Sequence, residues 1–234
     1  MLIAFFDFET TGVDVNQDRV TEVGALLYTT GYQRVVMAEQ FLVEVDRPIV
    51  PKVTELTKIR KPLCDKFGLV ANDALSRLQN YFDMAEAVAG NNIVEFDLPL
   101  YRNWCIQEHE EPIEKLAIDI KTDLPGVEYK KLAYMCADAG FLNPFPHAAL
   151  PDAWSSLRLF EGHDLEKVVE RAKSPRVTLK AHVDFDHNYL AKDRKYGWHP
   201  GSKVWYKVVK ELDVELEGKE APFDISRIEA LPRQ

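Results

Sequence analysis

The sequence predicts an α/β domain, a mixed sheet flanked by helices, with a small α+β module at its C-terminal end. Three observations carry this. Apolar strand-like runs crowd the first 45 residues, helical periodicity takes over after Pro51, and the pattern breaks near Ser174–Pro175 before a new apolar run. Size agrees, because 234 residues suit one large domain, or a domain of about 170 with an appendage. At 46% hydrophobic and 29% charged residues, the composition excludes disordered, collagen-like and disulfide-scaffold chains.

Strands are predicted at Leu2–Phe8, apolar throughout, at Arg19–Thr29, and at Arg34–Val45, where apolar positions alternate. Turn-prone stretches, Gly12–Asp18 and Thr30–Tyr32, separate them. The clearest helix is Asp73–Ala87, in which Leu75, Leu78, Phe82 and Ala85 recur at three- and four-residue steps behind an Asn72/Asp73 cap. Further helices are expected at Leu98–Glu108, Tyr129–Ala139 and Asp152–Leu159, with a short strand at Leu116–Ile120. A basic helix ending at Arg171 and Lys173 leads to the break, which places the main domain at 1–173 and the module at 174–234. The module opens with the apolar run Val177–Val183 and carries Trp198, Trp205 and Tyr206 among several lysines.

Uninterrupted apolar runs reach no further than six residues, as in Met1–Phe6, far short of the ~20 residues a bilayer span needs. No basic segment precedes it, so neither a transmembrane helix nor a signal peptide is predicted, and the expected location is the cytoplasm. Cys64, Cys105 and Cys136 lie far apart without a CxxC pair, which suits buried thiols in a reducing compartment and signals no zinc site.

A net charge of −9 counts against nucleic acid, because phosphate binding is driven by lysine and arginine releasing counterions. Its distribution softens the objection. Between Leu165 and Lys210 there are 11 basic and 5 acidic residues, and the rest of the chain holds 18 basic against 33 acidic. An acidic body can still act on phosphates if its carboxylates hold divalent cations.

Asp7 and Glu9 interrupt the most apolar strand of the chain, and their i, i+2 spacing puts both on one face. Two acids on one face repel unless a cation sits between them. Spacing alone is common, since Asp164/Glu166 and Asp213/Glu215 share it; the following Thr10-Thr11-Gly12 turn, with its hydroxyls and backbone N–H groups, sets this pair apart. Asp97 sits at a helix start between Phe96 and Leu98, five residues after Asn92, and taken alone reads more readily as a helix cap ahead of Pro99. His147, in a loop, is the only histidine with an aspartate, Asp152, five residues on.

Together these stretches resemble the DEDDh exonucleases, the DnaQ-like 3′–5′ exonucleases of the ribonuclease H-like fold. Asp7-Phe-Glu9-Thr-Thr-Gly12 looks like the first family motif letter for letter. Gly90-Asn-Asn92-Ile-Val-Glu-Phe96-Asp97-Leu-Pro resembles the second, with Asn91 where a histidine is frequent, and His147-Ala-Ala149-Leu-Pro-Asp152-Ala resembles the third. Thr54–Ile59 and Ile118–Lys121 are weaker landmarks, and the resemblance spans residues 1–170 or so.

The resemblance implies a five-stranded mixed sheet of the ribonuclease H-like kind and a metal-dependent 3′–5′ exonuclease. Asp7, Glu9, Asp97 and Asp152 would hold two Mg²⁺ or Mn²⁺ ions, and His147 would be the general base. Thr10, Thr11, Gly12 and Asn92 would meet the terminal nucleotide, with Phe96 stacking on its base. Single-stranded DNA is the leading partner, RNA the nearest alternative, and a catalytically silent nucleic-acid-binding protein a third, opposed by the presence of all five motif side chains. No membrane partner is expected, and protein partners are left open.

The tail, Ala191–Lys207, is similar to a small lysine-x-x-glycine-x-x-tryptophan module appended to some nucleases, although Trp198 follows Gly197 at once. Lys192, Arg194 and Lys195 are its candidate phosphate contacts. The tryptophans could equally form the core that a small module needs, and Trp205 is the more core-like of the two.

Overall fold

The computed structural model describes residues 1–127 and 131–229, in two compact units, Met1–Ala172 and Lys173–Gln234. The first unit runs β1 (Leu2–Thr10), β2 (Val20–Thr29), β3 (Arg34–Leu42), α1 (Pro51–Thr57), α2 (Lys61–Phe67), α3 (Ala71–Met84), β4 (Ala87–Gly90), α4 (Asp97–Glu108), β5 (Leu116–Asp119), α5 (Ile120–Asp123), α6 (Leu132–Asp138), α7 (Ala149–Glu161) and α8 (Leu165–Lys173). Its five strands form one mixed sheet in the order β3-β2-β1-β4-β5. The β1–β2 and β2–β3 pairs are antiparallel, the β1–β4 and β4–β5 pairs parallel.

β1 is apolar from Leu2 to Phe6 because both of its faces are covered there. Ala4, Phe6 and Phe8 point to one side, into a core with Leu75, Leu78 and Phe82 of α3 and Tyr101 and Trp104 of α4. Ile3 and Phe5 point to the other, against Leu157 and Phe160 of α7. Phe5 and Phe6 are both fully buried, each contributing roughly 1.5–3 kcal/mol of apolar burial. The three cysteines are buried and unpaired with one another. No helix among the described residues is long and apolar enough to cross a membrane.

Several elements differ from the sequence expectation. β4 was not anticipated: Ala-Val-Ala-Gly is four fully buried small residues with no alternation to reveal it. They are small because the sheet is tight there, and a Cβ on Gly90 would overlap the Phe6 carbonyl. α3 ends at Met84, and Ala87 belongs to β4; neither Asn72 nor Asp73 caps it, since the cap position is Val70 and makes no side-chain bond. α7 begins three residues before the expected Asp152. β3 stops at Leu42; beyond it the Val43 N–H donates to the Thr21 carbonyl at 2.9 Å, and Val43 forms an isolated bridge to Leu69. Of the helix expected at Tyr129–Ala139, the structure shows Leu132–Asp138; Tyr129 and Lys130 lie outside the described residues.

In the second unit, β6 (Arg176–His182), α9 (Asn188–Asp193), β7 (Gly197–His199), β8 (Val204–Lys210), a 3₁₀ turn (Glu211–Asp213), α10 (Val214–Glu220) and β9 (Asp224–Ile228) build an antiparallel sheet of order β7-β8-β6-β9. Its core is Leu179, Ala181, Ala191 and Tyr196, with Trp205 partly buried against them.

Candidate active site

The alternation of β1 that sends Phe6 and Phe8 one way carries Asp7 and Glu9 the other, onto the face under α7. Asp7 stands directly opposite Gly24 of β2. A Cβ on Gly24 would overlap the backbone of Ala149 and Leu150, so glycine is what lets the N-terminus of α7 come down onto the sheet. One turn into that helix, Asp152 is thereby delivered beside the β1 acids. The ligand atoms of Glu9, His147 and Asp152 all lie within 4.8 Å of one another.

Asp97 arrives from the other side of β1. β4 pairs only with Ile3–Phe5, which leaves the far edge of β1 open beyond that point. The Phe8 N–H donates there to Asp97 Oδ1 at 3.1 Å. Asp97 is the first residue of α4, and it caps the strand edge; the helix's own cap position, Phe96, makes no side-chain bond.

His147 is exposed and has a left-handed backbone, φ +64°, a conformation uncommon outside glycine. Its N–H donates to Asp152 Oδ2 at 3.2 Å, and the Asn143 amide donates to Asp152 Oδ1. The loop is thus fastened to the helix it precedes.

The electrostatics are those of crowded acids. Asp7 is held well above the usual carboxylate range by burial and by Asp97, Asp152, Glu9 and Glu22. Burial, with Asp152, Glu22 and Asp97, pushes Glu9 up to about 8. Burial pushes Asp97 to about 7, countered in part by the Phe8 N–H. Asp152 is raised to about 6, again chiefly by burial and countered by the His147 N–H. Among the described residues no lysine or arginine pairs with any of the four. Hard oxygen donors, crowded and without a cationic partner, fit a divalent cation of the Mg²⁺ or Mn²⁺ kind.

The sequence assigns no role to three participants. Glu22 lies opposite Glu9 in β2 and is buried; it accepts the Ala149 N–H at 2.9 Å and the Gln40 amide at 2.8 Å, capping α7 from a neighbouring strand. The signal was present, an acid interrupting an apolar strand. Buried Asp119, at the end of β5, accepts from the backbone N–H groups of Asn92 (2.8 Å), Val94 (3.1 Å) and Lys121 (2.9 Å) and so pins the turn that leads to Asp97. Asn143 is the third.

The expected nucleotide contacts are placed less simply. Thr10 and Thr11 are buried, with their hydroxyls turned into the loop: Thr10 donates to the Gly12 carbonyl, and Thr11 donates to Asp18 Oδ1 at 2.7 Å and accepts from the Arg19 N–H at 3.0 Å. They close the turn rather than present hydroxyls, and Gly12 has no room for a Cβ beside Asp18. Asn92 adopts φ +64°, and its side-chain oxygen accepts from Lys121 Nζ at 2.7 Å. Phe96 is half-buried next to Asp97. Lys192 and Lys195 are exposed, whereas Arg194 is bound to buried Glu217 at 2.9 Å and to Glu220 at 3.1 Å, so its charge is already committed within its own unit.

Residues 4–160 match the family described as RNase_T, exonuclease. The PolC-type DNA polymerase III of Mycoplasma genitalium is 32% identical over 114 residues, which cover 49% of this chain and 8% of the polymerase. The chain spans less than a tenth of that relative's length. A structure of exonuclease I superposes with a TM-score of 0.63 at 16% identity, over 77% of this chain and 48% of that one. Escherichia coli exonuclease I in complex with a dA16 oligonucleotide gives 0.60 at 17% identity, over the same shares. At such identities the superpositions establish the shared fold, a mixed five-stranded sheet flanked by helices. The family match extends from β1 into α7 and takes in all three motifs, and the chain belongs to the DEDDh (DnaQ-like) exonuclease family.

Proposed function

We propose that this chain is a divalent-metal-dependent 3′–5′ exonuclease that releases nucleoside monophosphates from the 3′ end of DNA, preferring single strands. The observation that carries this is the convergence of Asp7, Glu9, Asp97 and Asp152 with His147 at one end of β1. The four carboxylates would hold two Mg²⁺ or Mn²⁺ ions, which when bound supply positive charge for the attacking and leaving oxygens of a phosphodiester.

The remaining work falls to the chain's own groups. Glu22, Asp119, Asn143 and the Phe8 and His147 N–H groups fix the carboxylates in place, so little reorganisation is needed at the moment of reaction. His147 takes the proton of the attacking water, a role worth ~10²–10⁴ in rate. Its exposed loop position lets the proton pass on to solvent. Phe96 offers a ring beside Asp97 for the terminal base. DNA is favoured over RNA because the relatives are, by name, a DNA polymerase and an exonuclease complexed with a deoxyoligonucleotide.

The test is hydrolysis of 5′-labelled DNA and RNA oligomers with Mg²⁺, with Mn²⁺ and with EDTA, by wild type and Asp7→Ala. A ladder shortening from the 3′ end of DNA, absent in EDTA and in the variant, is expected. Turnover surviving either change, or shortening from the 5′ end, would overturn the mechanism.

A further inference from the structure

The C-terminal unit contains a groove of about 940 Å³ that the exonuclease chemistry does not use. It lies on the helix-covered face of the β7-β8-β6 sheet. Trp198 and Trp205 are directly paired across β7 and β8, and therefore share a face, with ring centroids 5.4 Å apart. Trp205 also pairs with Ala181, a core residue, so it forms the floor. Trp198, in contrast, is 46% exposed, and Phe185 at the rim is 87% exposed.

Exposing an indole and a phenyl ring in one groove is costly in water unless something covers them. The lining indicates what that is. Lys192 reaches over the Trp205 ring at 5.6 Å, and Lys203 stands on the turn between the two tryptophan strands. Asp184 is the only acid of the lining, against Lys180, Lys192 and Lys203, and its Oδ1 is held by the backbone N–H and ring of His187 at 2.9 and 2.7 Å. Flat aromatic faces interleaved with cations suit a ligand that alternates flat rings with phosphates. An acidic peptide matches the cations but offers no regular supply of flat rings.

We infer that this groove is a second nucleic-acid site, which grips single-stranded DNA by stacking bases on Trp198 and Phe185 while Lys192 and Lys203 meet the phosphates. The inference rests on the exonuclease reading only for the choice of DNA as the strand. Because the two sites belong to one chain, a strand held here stays at high local concentration between cleavage events.

Binding is measured apart from cleavage, on the full chain in EDTA, by the anisotropy of a 5′-fluorescein-labelled oligothymidylate and by tryptophan emission. Wild type is expected to bind, with its emission quenched. Trp198→Ala should weaken binding by roughly 5- to 100-fold, the loss of one stacked base, and Trp198→Phe should restore most of it. The double variant Lys192→Ala/Lys203→Ala should lower the slope of log Kd against log salt by about 1.4, ~0.7 for each lysine on a single strand. Because Trp198 is half exposed, its replacement should lower the melting temperature only slightly and leave the unit folded at the temperature of the titration, which a melt checks. Equal affinity for wild type and Trp198→Ala would overturn the proposal, as would quenching by an acidic peptide with none by the oligonucleotide. Failure of the exonuclease reading looks different, since wild type would then shorten no oligomer with either metal while binding in EDTA stayed measurable.

Discussion

Glu22 and Ala149 stand 127 residues apart in the chain and are joined by a single buried hydrogen bond, 2.9 Å from the Ala149 N–H to Glu22 Oε2. That bond supplies the cap that α7 lacks from its own sequence and sets the helix carrying Asp152 against the strand carrying Glu9. Glu22→Ala should cost about 1 kcal/mol, roughly 2–4 °C in Tm, and should lower turnover further because Asp152 loses its bearing. Glu22→Gln keeps an acceptor oxygen and should recover most of the stability. Thermal melts and turnover of the two variants check this, and equal melts would remove the cap from the account.

Gly24→Ala should be more damaging than its size suggests. The added methyl would meet backbone at Ala149 and Leu150, which has no rotamer to yield. A loss at or above ~3 kcal/mol is expected, with weaker Mn²⁺ affinity because α7 lifts away from Asp7. Calorimetric metal titration of the variant would show it.

Stability in EDTA should fall as pH rises. Glu9 titrates near 8 in the folded protein against an ordinary 4.5. The favourable contribution of its neutral form is therefore complete below the ordinary value and is lost as pH climbs through about 8. Asp97 and Asp152, raised to about 7 and 6, act in the same direction. The drop in Tm between pH 6 and 8.5 should be larger for wild type than for Glu9→Gln. Saturating Mg²⁺ should shrink it, since bound cations stabilise the ionised forms. An equal drop in both proteins would contradict the assignment.

His147→Ala should lower kcat by ~10²–10⁴ with metal affinity kept. Loss of metal binding would instead make His147 a ligand, a role its distance from Glu9 and Asp152 also permits.

Arg194→Ala should destabilise the C-terminal unit by roughly 1.5–3 kcal/mol, as expected for a charged hydrogen bond removed from buried Glu217. Lys207, 2.8 Å from the same carboxylate, keeps Glu217 from being left alone. Neutralising exposed Lys195 should leave the melt unmoved. This contrast separates arginine as brace from lysine as ligand.

The strand carrying Asp7 and Glu9 was legible because apolar runs broken by acids are rare, and the order of the three motifs reached Asp97, His147 and Asp152. The roles of Glu22, Asp119 and Asn143 were not, although Glu22 also breaks an apolar strand and Asp119 falls inside a landmark, because what each does depends on which N–H or carboxylate it meets across the fold, and composition cannot announce register. β4 hid behind its small residues, of which Gly90 is held to glycine by the Phe6 carbonyl and not by any local pattern. Thr11 reads from the sequence as a hydroxyl offered by a turn, and in the fold that hydroxyl is bonded to Asp18 and the Arg19 N–H, partners that the linear pattern does not name.

The bond between the Phe8 N–H and Asp97 gives one carboxylate a second duty. Past Phe5 the outer edge of β1 has no neighbouring strand, and a bare edge recruits other strands, its own copies included. Asp97 plugs that edge. An alanine there would remove a proposed metal ligand and also unseal the sheet, so an inactive Asp97→Ala preparation that clumps would say little about catalysis. Asparagine retains an oxygen for the Phe8 N–H and gives up the charge, which makes it the cleaner way to silence the enzyme while keeping its strands to themselves.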